Sequence, residues 1–249
     1  MKCFGATDTG LVRANNQDSY VIASNEVGDV FALVCDDIGG GNSGDVASQT
    51  AIQYFSEVFS ANKGFKDEEE ALTWLRYQIR KANDTVFTLS TTRREYQGMG
   101  TTLVGVLLIP QGSYVINVGD SRAYASFQDG SFRCLTQDHT LVQDMVNHGE
   151  LSEEEMMNHP KRNMLTNALG IWSNIRIDLT RIDDPADTFL LCSDGLHGYV
   201  PDSVIAKVML DSRQTLQAKS KQLMNLALLQ GGYDNITIIL IQKEAGDKR

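Results

Sequence analysis

Residues Phe31 to Ala51 read FALVCDDIGGGNSGDVASQTA. An apolar run ends in two adjacent carboxylates, passes into a glycine-rich turn and continues with the spacing of a helix. Three chemistries suit such a junction: a nucleotide cradle, a metal site, or a tight turn with no further role.

The cradle is tested first. Gly39 to Gly44 fits G-x-G-x-x-G between a strand and a helix. The following segment, Lys66 to Leu89, has helical periodicity again, so no second parallel strand closes the βαβ unit that a dinucleotide needs. Asp36 and Asp37 would also repel a pyrophosphate. The dinucleotide reading is therefore set aside.

Acidic residues elsewhere favour a metal. Asp36 ends FALVC, Asp120 follows YVINVG, Asp194 follows FLLCS, and Asp234 stands just before NITIILI. Each carboxylate caps one end of an apolar strand. If the last strand runs antiparallel to the others, all four reach one rim of the sheets. Gathered there, they would repel one another unless divalent cations intervened. Oxygen donors without His or Cys indicate hard cations, Mg²⁺ or Mn²⁺. A lone Asp beside Gly is most simply a turn residue binding its own backbone; four in the same context exceed that explanation.

The rest of the chain limits the alternatives. With 249 residues and 42% hydrophobic content it has material for a real core. The N-terminus lacks the apolar stretch of a signal peptide, and no run is long enough to span a bilayer, so a soluble, cytoplasmic protein is expected. Four widely separated cysteines, Cys3, Cys35, Cys134 and Cys192, fit a reducing compartment without a disulfide framework. A net charge of -10 argues against nucleic acid.

Strands are expected at 20–23, 30–35, 102–109, 113–118, 122–127, 175–182, 188–192 and 236–242, with hairpin turns at PQGS (110–113) and QDGS (128–131). Helices are expected at 43–60, 67–89, 201–210 and 215–229. The strands cluster between helical blocks instead of alternating with them, which predicts one α+β domain with antiparallel sheets covered by helices. Residues 139–165 are polar and irregular, suggesting a mobile subdomain. Within them, Ser152 and Glu155 have the spacing of a capping box.

Eight segments in order, RANNQDS (13–19), VCDDIGGGNSG (34–44), MGTTL (99–103), NVGDSRAY (117–124), LTQDHT (135–140), LTNALG (165–170), LLCSDGL (190–196) and DNIT (234–237), resemble the PP2C-like (PPM) metal-dependent serine/threonine protein phosphatases in their compact bacterial form. The likeness runs from about Cys3 to Gln242. It implies a four-layer αββα sandwich with a flap at about 139–165 and a centre of two Mn²⁺ or Mg²⁺ ions. By motif, Asp36 would bridge both metals, Asp194 and Asp234 would complete one, the Asp37 carbonyl would bind the other, and Asp18 would hold its waters. Asp120 and Asp194 would take a third, weaker ion, and Arg13 would grip phosphate. Water shared by two cations is deprotonated near neutral pH and attacks phosphorus in line, without a covalent enzyme intermediate. The planar fork of arginine suits two phosphate oxygens. The implied partners are phosphorylated proteins and a Ser/Thr kinase whose action is opposed, with no membrane or nucleic acid and a monomeric chain.

Four departures qualify the likeness. The family pattern has Asp-Gly where this chain has Asp36-Asp37; aspartate adds a Cβ and a charge where the backbone turns. This departure motivates a second reading, a catalytically impaired module that binds phosphorylated partners. Gly41 stands where His is frequent and Asn167 where Arg is common, either of which would weaken phosphate or flap contacts. Ile38 occupies the place of a histidine proton donor present in animal members.

Overall fold

The computed structural model describes residues 1–38, 44–183 and 185–243. Its strands are β1 (Lys2–Asp8), β2 (Ser19–Ser24), β3 (Val30–Cys35), β4 (Asp37–Ile38), β5 (Gly100–Thr101), β6 (Leu103–Ile109), β7 (Gly112–Val118), β8 (Arg122–Phe127), β9 (Phe132–Cys134), β10 (Asp178–Ile182), β11 (Ala186–Cys192) and β12 (Ile236–Gln242). The α-helices are α1 (Gly44–Ser60), α2 (Glu68–Thr92), α3 (Leu141–Asn147), α4 (Glu153–Met157), α5 (Asp194–His197), α6 (Asp202–Met209) and α7 (Leu216–Leu229). The glycine turn at 39–43, including Gly41 and the expected helix start at Ser43, lies outside the described residues.

Two five-stranded sheets, β1-β12-β11-β8-β9 and β10-β7-β6-β3-β2, form the centre, and β4-β5 make a small third. Every pairing between these strands is antiparallel. The period of two sorts side chains into layers. In β3, Ala32 and Val34 face the opposite sheet, where they meet Leu191 and Ile239, alongside Val104 of the neighbouring β6. Phe31, Leu33 and Cys35 face outward and are covered by Phe55 and Phe59 of α1 and Leu75 and Ile79 of α2. On the other side Leu190, Ile238 and Leu240 pack under Ile205, Leu223 and Ala227 of α6 and α7. Both faces of each central strand are thus buried, which is why these strands read as unbroken apolar runs. Each large side chain so enclosed contributes about 1.5–3 kcal/mol. The expected αββα sandwich is the observed one.

Helix starts follow their caps. Asp67 accepts from the Glu70 N–H, Thr215 from the Ala218 N–H, and Ser152 with Glu155 forms the expected capping box. The irregular reading of 139–165 needs correction, because Thr140 caps a further helix there, α3. β1 was also not anticipated: KCFGATD is half-exposed and lacks an apolar run. All four cysteines are free, with Cys3 and Cys134 exposed. Among the described residues no helix is long and apolar enough to cross a membrane.

Candidate functional site

Because β12 is antiparallel to β11, with Cys192 opposite Ile238, the residue after β11 and the residues before β12 meet at one end of the sandwich. Asp194 and Asp234 arrive there. Asp36 follows β3 and Asp120 sits in the turn between β7 and β8. Asp36, Asp37, Asp120, Asp194 and Asp234 line one cavity of about 200 Å³, together with Arg13, Gln17, Thr102 and Asn235, and with Asn163 and Leu165 from the 139–165 segment. A larger hollow of about 590 Å³ lies over the start of α2, between Lys66 and Tyr77, and brings together none of these carboxylates.

Hydrogen bonds position most of these acids. The Asp36 N–H donates to Thr102 Oγ1 at 3.0 Å, while its carbonyl accepts from the Thr102 N–H at 2.8 Å and from Thr101 Oγ1 at 2.8 Å. Asp194 opens α5, and its N–H points at Asp36 Oδ2, 3.4 Å away. Asp18 lies behind the cavity, where Ser193 Oγ donates to its Oδ2 at 2.7 Å. The Asp120 carbonyl accepts from His197 Nε2 at 3.0 Å. Next to it, the Gly119 N–H donates to His139 Nδ1 at 3.2 Å and the Gly119 carbonyl accepts from the His139 N–H at 2.9 Å. His139 Nδ1 also accepts from Asn167 Nδ2 at 2.7 Å, so its Nε2 carries the proton donated to Asp178 at 3.0 Å. Asn167 further bonds both backbone groups of Arg176. It is therefore a buried structural link, with both ends of its amide occupied.

Arg13 reaches the site on a loop fastened by Asn235. The Asn235 amide accepts from the Gln17 N–H at 2.8 Å and donates to the carbonyls of Thr9 and Asn15 at 2.9 and 3.0 Å. Gly195 allows the close approach of this strand, since a Cβ there would stand 1.9 Å from the Asn235 carbonyl oxygen. Arg13 Nη2 donates to Asp234 Oδ2 at 2.8 Å.

The electrostatics are those of anions short of cations. Burial, then repulsion from Asp18, Asp194 and other acids, raises Asp36 well above the usual carboxylate range. Burial and Asp120 do the same for Asp194. Burial lifts Asp18 and Asp37 each to about 6, and burial with the nearby Asp138 lifts Asp120 to about 7. Asp18 Oδ1 and Asp37 Oδ1 are buried without a hydrogen-bond partner. As they stand, no three acidic, His or Cys side chains among the described residues converge tightly enough to grip one ion. Asp234 is paired with Arg13. An oxygen-only donor set, carboxylates held above their normal proton affinity and two orphaned oxygens fit hard divalent cations.

Asp37 differs from expectation in its backbone. It lies in β4, paired with Thr101, and no described residue other than glycine has a positive φ. The extra Cβ is accommodated without left-handed strain, leaving only the charge as a departure. The supporting groups Thr101, Thr102, Ser193, His139, His197 and Asn235 were not singled out from sequence. All but His197 fall inside the quoted segments, which was the available signal.

A family profile described as "Protein phosphatase 2C" matches residues 12–230. The serine/threonine phosphatase Stp of Listeria monocytogenes is 36% identical over 243 residues, covering 97% of this chain and 96% of its own length. The serine/threonine protein phosphatase PstP of Mycobacterium tuberculosis is 32% identical over 94% of this chain and 43% of its own. The crystal structure of serine/threonine phosphatase Stp1 from Staphylococcus aureus superposes with a TM-score of 0.91 at 34% identity, covering 98% of this chain and 95% of that one. The chain belongs to the protein phosphatase 2C family, the metal-dependent serine/threonine protein phosphatases.

Proposed function

We propose that the chain hydrolyses phosphoserine and phosphothreonine in proteins at the carboxylate cavity, using two Mn²⁺ or Mg²⁺ ions and a third, weaker one. Asp36 would hold both principal ions, Asp194 and Asp234 would complete one, and Asp37 and Asp18 would serve the other, Asp18 through water. Asp120 with Asp194 would take the third. Bound there, the cations supply an activated water and offset charge on the departing oxygen.

The chain's own residues do the rest. Thr101 and Thr102 fix the Asp36 backbone, and Ser193 orients Asp18. Arg13 releases Asp234 and takes two phosphate oxygens in its fork. Asn163 and Leu165 wall the cavity from the 139–165 segment, which we read as a flap on a single domain. A cytoplasmic monomer opposing a Ser/Thr kinase suits this chemistry and the free cysteines.

The observation that carries the proposal is the convergence of five acids and one arginine on a 200 Å³ cavity. Release of phosphate from a phosphothreonine peptide should require Mn²⁺ or Mg²⁺, stop with chelator, and fall by at least about 10²-fold in Asp36→Asn. Turnover that survives chelation, or an Asp36→Asn variant as active as the parent, would refute it.

A further inference from the structure

Beside the carboxylate cavity the surface turns apolar. Leu11 is 70% exposed, Val12 61% and Tyr233 53%, three of the nine large apolar side chains most open to water among the described residues. Singly exposed apolar residues need no explanation; grouped at the mouth of a polar cavity they do.

Their backbones are pinned. The Leu11 N–H donates to the Gly232 carbonyl at 2.7 Å, and a Cβ on Gly232 would stand 2.9 Å from Leu11 Cγ, so the leucine lies on the open face of that glycine. Gly10 is as tightly placed, since a Cβ there would meet the Asp234 carbonyl oxygen at 2.3 Å. The Tyr233 ring leans on Tyr199, with centroids 5.7 Å apart and planes tilted by 36°. Tyr199 in turn lies within electrostatic reach of Asp194 and Asp234, and of Arg13 and Arg162. The result is a shelf of leucine, valine and two tyrosines beside the Arg13–Asp234 pair.

Its position relative to phosphate decides what it holds. Tyr233 directly precedes Asp234, and Leu11 is two residues from Arg13. An extended peptide advances about 3.3–3.6 Å per residue. With its phosphate at Arg13, it brings a side chain one or two positions away over the shelf. We infer that Leu11, Val12, Tyr199 and Tyr233 form a subsite for a large apolar side chain of the substrate phosphoprotein, one or two residues from the phosphorylated serine or threonine. This rests on the phosphatase reading.

The test compares two phosphothreonine peptides that differ only in carrying leucine or glycine at the flanking positions, with the full chain and Mn²⁺. The leucine peptide should have a kcat/KM about tenfold higher, carried in KM, near the lower end of what burying apolar groups confers. Leu11→Ser and Tyr233→Ser should each reduce that preference to about twofold or less, with an unchanged melting temperature as the check on folding. If one variant fails to fold, the other decides. A wild-type preference below twofold, or one that survives both substitutions, overturns the inference. So does a dimer in sedimentation that Leu11→Ser dissociates, which would assign the shelf to a second copy. If wild type releases phosphate from neither peptide nor from p-nitrophenyl phosphate, the phosphatase reading fails first and the subsite falls with it.

Discussion

Arg13 and Asp234, 221 residues apart in the chain, meet at 2.8 Å across the mouth of the carboxylate cavity. The guanidinium there holds the carboxylate that the proposed function assigns to a metal. Exposed ion pairs of this kind are weak, about 0–1 kcal/mol, so the competition is modest. Arg13→Ala should therefore tighten Mn²⁺ binding about two- to fivefold by calorimetry while lowering kcat/KM on phosphopeptides. Looser metal binding in that variant would show that Arg13 does not compete.

The raised carboxylates give the metal-free protein a pH signature. A carboxyl whose folded pKa exceeds its unfolded value stabilises the fold when protonated, and that stability is lost as pH rises through the folded value. Asp18 and Asp37 at about 6 and Asp120 at about 7 place the loss between about pH 4 and 7. His197, pulled down to about 3 by burial, acts oppositely, adding stability as pH rises toward 6.5. Comparing variants separates the two contributions. In chelator, Asp194→Asn should melt above wild type at pH 8 by several degrees, with a smaller gap at pH 5. A gap that does not grow with pH would show the acids are not mutually repelled.

Thr102 is buried and its hydroxyl serves both the Asp36 N–H and Ser121 Oγ, the latter at 2.7 Å. Thr102→Val keeps the shape and orphans those groups. Urea denaturation should show a loss of about 1–3 kcal/mol. Full stability would mean water replaces the hydroxyl.

The charge of Asp37 is a departure from the family pattern that faces the cavity. Its orphaned Oδ1 suggests an added metal contact. Asp37→Gly should shift the Mn²⁺ titration of activity to higher concentration, about tenfold if the carboxylate binds directly. Identical titration and turnover would reduce Asp37 to a bystander.

What could be read from sequence was what burial writes locally. The bounds of β3, β8 and β12 match expectation, because their apolar runs stop where the sheets do. The acids after β3 and β11 and before β12 announced a shared rim for the same reason. β1 escaped because it is an edge strand whose Gly5 leaves room for the Tyr20 ring; a Cβ there would stand 2.4 Å from it. The supporting shell escaped because its bonds are non-local. Ser193 and Thr237 are 44 residues apart and Gln17 and Asn235 are 218 apart, distances over which no local pattern reports.

The staple made by Asn235 carries a consequence for synthesis. The loop bearing Arg13 is made well before its anchor and before the partner strand of β1, both of which come with β12. A chain cut before residue 234 would keep most of its layers but lose Asp234, Asn235 and the strand between β1 and β11, so the cavity exists only when segments from both ends of the described fold are present together.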